Sequence, residues 1–95
     1  MLLQISHYQT PIDKVADAEK WVIASAIPGV RKLGALQGYW AVYWKTGKSV
    51  VVPFWKDEAA ANASSKGVAT IRDEVDSLFG AKMTGVEAYD VYGQL

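Results

Sequence analysis

Cysteine is absent from the 95 residues, and histidine occurs once, at His7. The first absence excludes disulfides and thiolate chemistry. The second leaves too few ligands for structural zinc, which wants several His or Cys side chains. Charge of one sign is not in excess either, since ten Lys and Arg balance ten Asp and Glu and no basic run stands out. Nucleic acid and anionic membranes are therefore not expected as partners. The apolar runs are too short to cross a bilayer, and the opening MLLQISHY has no basic n-region or cleavage signal, so a soluble cytoplasmic protein is expected. The glycines are dispersed and form neither a phosphate loop nor a dinucleotide fingerprint. Neither a metal nor a cofactor is expected, and the cluster Asp73-Glu74-Asp76 reads as a solvated helix face.

At this length, residues 1–95 make one domain. So short a chain buries a modest share of its surface. With disulfides and metals excluded, oligomerisation is the remaining source of added stability.

What the sequence has instead is periodicity. Residues 2–9, LLQISHYQ, alternate as a strand, with Leu3, Ile5 and His7 on one side and Gln4, Ser6 and Tyr8 on the other. Thr10-Pro11-Ile12-Asp13 predicts a helix start, with the Thr10 hydroxyl as cap and Pro11 at the first helical position. Val15, Val22, Ile23, Ala26 and Ile27 recur at helical spacing, and Pro28-Gly29 predicts the stop. A hairpin follows, with Thr46-Gly47 at its turn. Asp57 predicts the cap of a second helix, Gly67 a weak point within it, and Gly80 its end, with Val68, Ile71, Val75, Leu78 and Phe79 on its buried face. GVEAYDVYG, residues 85–93, alternates as a last strand. Strand, helix, strand, strand, helix, strand is the ferredoxin-like α+β order (βαββαβ): a four-stranded antiparallel sheet with both helices on one face.

The hairpin GYWAVYWKTGKSVVVPFW holds three of the four tryptophans. Tyr39, Ala41 and Tyr43 point to one side and Trp40, Val42 and Trp44 to the other. Val50, Val52 and Phe54 likewise oppose Val51, Pro53 and Trp55. Neither face is polar, although a sheet covered once should show one polar face. The two helices cover one side only. Leaving the other wet would forgo about 1.5–3 kcal/mol for each large side chain. Sheet-to-sheet packing in a homodimer covers it, in preference to a loop folded across.

With Ile27-Pro28-Gly29-Val30, the hairpin and Phe54-Trp55-Lys56-Asp57-Glu58-Ala59 in view, the chain resembles, over nearly its whole length, the dimeric α+β barrel proteins of the antibiotic-biosynthesis monooxygenase type. The resemblance implies a homodimer with a pocket between sheet and helices in each subunit. It also implies two activities known in the family: cofactor-free oxidation of polycyclic aromatics by molecular oxygen, and haem degradation. Trp55 matches the family's pocket tryptophan at the end of the third strand, and Arg72 the arginine on the second helix of its quinone-forming members. The asparagine and tyrosine of those members fall here on Val51 and Ala61. Haem degradation requires a histidine on the second helix, and none follows His7.

From the residues, His7 is the natural proton carrier. Trp55 can stack on a flat substrate, and Arg72 can stabilise an enolate or phenolate. Those three are the catalytic candidates. Tyr39, Tyr43 and Trp55 are the substrate-binding ones, with Tyr89 and Tyr92 as further phenols. Each has a structural alternative: His7 as a sheet residue, Trp55 as core, Arg72 paired with Asp76 four residues on, the tyrosines as packing. The expected function is oxidation of an electron-rich aromatic or quinol. The alternative is a non-catalytic homodimer that binds a small ligand or a partner.

Overall fold

Strand β1 (Leu2–Gln9) occupies the residues its alternation marks out, and burial follows the same period: Leu2 and Tyr8 are buried. In the computed structural model, which describes all residues from Met1 to Leu95, β1 lies inside the sheet. It pairs antiparallel with β3 (Lys48–Trp55) on one side and β4 (Lys82–Asp90) on the other. β2 (Gln37–Tyr43) pairs with the far edge of β3, giving the order β2-β3-β1-β4. This is the ferredoxin-like α+β fold.

The hairpin turn depends on Gly47, whose φ of 76° is the left-handed conformation glycine adopts without strain. Its carbonyl accepts the Thr10 N–H at 3.0 Å, and a Cβ there would stand 2.0 Å from the Thr10 oxygen. Thr10 is thereby committed to joining β1 to the hairpin. It does not cap the helix as expected: Pro11 precedes a 3₁₀ turn, Ile12–Lys14, with no side-chain cap. Trp44 falls in the turn, half exposed, and not in β2.

The first helical segment passes through Pro28-Gly29, contrary to expectation. Helix α1 (Val15–Trp21) widens into a π turn at Val22–Ala26, where the Ile27 N–H bonds the Val22 carbonyl. Helix α2 (Ile27–Lys32) then restarts, with Pro28 in its first turn. The backbone stays helical through the junction, so the donor that Pro28 lacks is missing directly after the widened turn, where the regular ladder is already interrupted. The segment ends at Gly34, φ 110°.

Asp57 caps α3 (Glu58–Ala63), accepting the Ala60 N–H at 2.8 Å. The break before α4 (Ser65–Phe79) falls at buried Ser64 and not at Gly67. Ser64 Oγ lies 2.8 Å from the Leu33 carbonyl and 2.9 Å from that of Ala60. Gly67 instead leaves room for the Leu33 side chain. Gly80, φ 69°, closes α4 as expected. Leu78, assigned above to the buried face, is exposed; Val75 is the buried residue of α4.

β4 begins three residues before its expected start, because pairing with β1 continues to Gln9↔Lys82 across a bulge at His7/Tyr8. Tyr92 lies beyond it and is fully exposed.

Both helical segments cover the sheet face that carries Leu2, Tyr8, Val51 and Trp55. One buried cluster joins Tyr8, Val51, Val75 and Ala81, with Trp21, Trp40 and Phe79 packed on it. The other joins Leu2, Trp55 and Ala61. The opposite face carries Ile5, His7, Tyr39, Tyr43, Val52, Glu87 and Tyr89, and nothing in the chain covers it. Half of the sequence is apolar, yet only 15 of 95 residues are buried. Much apolar surface is left for an outside contact.

Candidate functional site

Three hollows lie between the helices and the sheet, and Trp40 of β2 lines all three. The most enclosed, about 200 Å³, lies under α3 and α4, and its wall includes Gln4, Tyr8, Asn62 and Arg72. Most of the rest of that wall is apolar. A second hollow, about 230 Å³, lies under the first helical segment. The third, about 250 Å³, opens beside α2 and the start of β2.

Arg72 has no ion partner. Asp76, four residues on, binds Lys82 Nζ at 2.6 Å instead. The Arg72 Nε is buried without an acceptor. An unsatisfied buried guanidinium donor is costly unless something arrives to accept it. The helix-surface pairing that was the alternative for this residue is therefore not made.

Trp55 does not line the cavity. It is fully buried, and its Nε1 donates to Gln4 Oε1 at 2.8 Å. That bond occupies the Gln4 carbonyl oxygen, so the group Gln4 can offer the cavity is its amide N–H₂. Trp55 thus lies behind the wall, bonded to Gln4, and offers the cavity no stacking surface.

His7 stands on the open face, on the far side of the sheet from Arg72. Its Nε2 donates to Glu87 Oε1 at 2.5 Å, since only the carboxylate can accept. Tyr89 donates to Glu87 Oε2 at 2.5 Å. The hydrogen bonds from Tyr89 and then from His7 hold the Glu87 carboxyl below its ordinary range. The bond to Glu87, and then its charge, push the Tyr89 phenol up. The grouping of His7, Trp55 and Arg72 in one cavity is therefore corrected: Arg72 lines it, Trp55 supports it, and His7 lies outside it. Tyr39 and Tyr43 also stand on the open face, 68% and 57% exposed, although Tyr39 borders the hollow beside α2.

The residues missed by sequence reasoning are Trp40, Gln4, Tyr8 and Asn62. Trp40 had a signal, since alternation puts it opposite the exposed tyrosines. Val51 and Ala61, where the resemblance located the family's asparagine and tyrosine, both line the Arg72 cavity. No three His, Cys, Asp or Glu side chains approach closely enough to hold a metal ion. No helix is long and apolar enough to cross a membrane.

No protein-family model matches the sequence, and no curated protein does. Solved structures do match. HapK from Hahella chejuensis superposes with a TM-score of 0.80 at 16% identity, over 99% of this chain and 95% of its own. A protein of Deinococcus radiodurans, provisionally named an antibiotic biosynthesis monooxygenase, gives 0.77 at 14% identity, over 100% and 96%. A protein from an uncultured marine organism, described as dimeric and ferredoxin-like, gives 0.63 at 6%, over 99% and 91%. At these identities the likeness is one of fold: the chain has the ferredoxin-like architecture of the antibiotic biosynthesis monooxygenase structures, end to end.

Proposed function

We propose that the protein is a cytoplasmic, homodimeric oxygenase that needs no cofactor and acts on an electron-rich phenol or quinol in the Arg72 cavity. The observation that carries this reading is Arg72 itself: a cation with no protein partner, its Nε buried, on the wall of an enclosed and largely apolar cavity. Such a cation lowers the pKa of a bound phenol and stabilises the oxyanion. The amides of Gln4 and Asn62 add neutral donors, and Trp40 and Tyr8 supply flat walls.

The chemistry belongs to the substrate. A naphtholate bound against Arg72 gives an electron to molecular oxygen, and the resulting pair recombines at the ring carbon para to the oxyanion. The peroxide then loses water to give the quinone. One oxygen atom enters the ring, the other leaves as water, and both hydrogens come from the substrate.

The homodimer covers the open sheet face. Its apolar side chains and the exposed Tyr39, Tyr43 and Tyr89 support this, as does the dimeric description of one structure of the same fold. The Glu87 carboxylate can be covered there because His7 and Tyr89 already satisfy both its oxygens.

A non-catalytic binder is the second reading. Its support is a cavity wall without carboxylate or imidazole, together with Val51 and Ala61 where the family has polar groups. Oxygen uptake with a panel of anthrones and naphthols separates the two. The oxygenase consumes one O₂ per substrate and loses about 10²–10³-fold in kcat on Arg72→Gln, the usual cost of an oxyanion donor. Turnover that survives Arg72→Gln overturns the site. Binding with no turnover of any substrate leaves the binder.

A further inference from the structure

The indole of Trp55 is a hydrogen-bond donor and not an acceptor. The amide atom 2.8 Å from its Nε1 is therefore the oxygen, and the Gln4 amide sits only one way round. The indole that fixes it is fully buried, and β1, which carries Gln4, is an inner strand. The end of the amide left for the cavity is the N–H₂, which donates and cannot accept. Arg72, on α4, is likewise a donor only. By contrast, the hydroxyls of Ser6, Ser65 and Tyr8 on that wall can donate or accept, and Asn62 is exposed with no buried donor to fix its amide. Around Gln4 the sheet gives the cavity mainly apolar side chains, Val51 and Pro53 from β3 and Val86 from β4.

We infer that Gln4 is a specificity-determining residue of the Arg72 cavity: held in one orientation by Trp55, it binds a second ligand oxygen, a ring carbonyl, while Arg72 holds the oxyanion. A carbonyl accepts from the amide and brings no proton of its own. An alcohol there would have to leave its proton against a mainly apolar wall, at the cost of an unpaired donor. The two fixed donors come from different layers, Gln4 from the sheet and Arg72 from the helix over it, and so serve separate oxygens. Trp55 is then a positioning residue that acts through Gln4 and touches no ligand. The inference rests on the anion-anchoring role given to Arg72 above and adds what else the ligand carries.

The test is calorimetric titration of the unmodified protein with two matched pairs. These are 5-hydroxy-1-tetralone against 5,6,7,8-tetrahydro-1-naphthol, and 7-hydroxy-1-tetralone against 5,6,7,8-tetrahydro-2-naphthol. Each pair differs only in the ketone, which is meta to the phenol and changes its acidity little. At least one ketone should bind roughly 2- to 10-fold tighter than its partner, the yield of one neutral hydrogen bond. Gln4→Met removes the amide donors and should bring the ratio to about one. Trp55→Phe keeps an aromatic side chain but frees the amide to turn, and should shrink the ratio; a merely structural role for Trp55 would weaken both members equally. If Trp55→Phe does not fold, the ¹H–¹⁵N spectrum of the unmodified protein serves. The ketone and not its partner should shift the Gln4 side-chain amide, with the Trp55 indole N–H still protected from exchange. Arg72→Gln should weaken both members by a similar factor and leave the ratio unchanged. Equal affinity within both pairs, or a ratio that survives Gln4→Met, overturns the proposal; a ratio untouched by Trp55→Phe overturns the part given to Trp55. Ketone preference without oxygen uptake keeps the role of Gln4 and removes the oxygenase. Oxygen uptake with no preference in either pair does the reverse.

Discussion

The two faces of this sheet are built from equally apolar strands and end up with different work. On the helix-covered face, Trp55 is sealed, Trp40 partitions three hollows, and Arg72 reaches into one of them without a partner. On the other face, the single histidine, one glutamate and a tyrosine satisfy one another and line no hollow under the helices. The titratable group that chemistry would nominate first sits on the wrong side for the cavity. An unpaired arginine is the stronger pointer to a ligand, because an unsatisfied buried donor requires an acceptor and a satisfied histidine does not.

The comparison breaks most severely at Trp55. Trp55→Ala should cost about 3–5 kcal/mol, the range for truncating a buried aromatic, and should also release Gln4; chemical denaturation measures it. In a domain this small that is a large share of the total. Next comes the open face. Val52→Asp adds an unpaired charge to each half of the proposed interface, at a cost of about 3–5 kcal/mol when buried. Sedimentation should find monomers that keep their circular dichroism, while dimers at undiminished strength would refute the interface.

A smaller effect is expected at Asp57, whose cap is worth about 1 kcal/mol. Asp57→Ala should lower the unfolding free energy by that amount and leave ligand affinity alone. The smallest effect sharpens the open face by pH. Glu87 is held below its ordinary 4.5, so its contribution is present above about 4.5 and lost as pH falls through the lowered value. Tyr89 is held above 10.0, so its contribution is present below about 10 and lost as pH rises through the raised value. Thermal melts across pH should show both wings in the natural protein and neither in Glu87→Gln.

Local chemistry was legible in the sequence; choices of register were not. The alternation of LLQISHYQ marked β1 to the residue, and Asp57, Gly47 and Gly80 did what their side chains or their lack of one dictate. Pro28-Gly29 misleads because a π turn directly upstream already interrupts the regular ladder, and the helical backbone continues through the proline. Gly67 reads as a weak point in the sequence because the Leu33 side chain that uses its space is 34 residues away. Alternation also separated His7 from Tyr8 correctly. It could not say which of them the helices would cover, and the site turned on that. Arg72 is a candidate in the sequence through the resemblance. Its freedom from Asp76 depended on Lys82, which β4 brings up from beyond the helix end.

The most direct measurement is a ¹H–¹⁵N chemical-shift titration of the labelled protein with 1-naphthol. Binding at the covered face moves the Trp40 indole, the Gln4 and Asn62 side-chain amides and the Arg72 Nε resonance, with the amides of Tyr39 and Tyr43 still. Shifts confined to His7, Tyr39, Tyr43 and Glu87, with the Arg72 Nε unmoved, would contradict it.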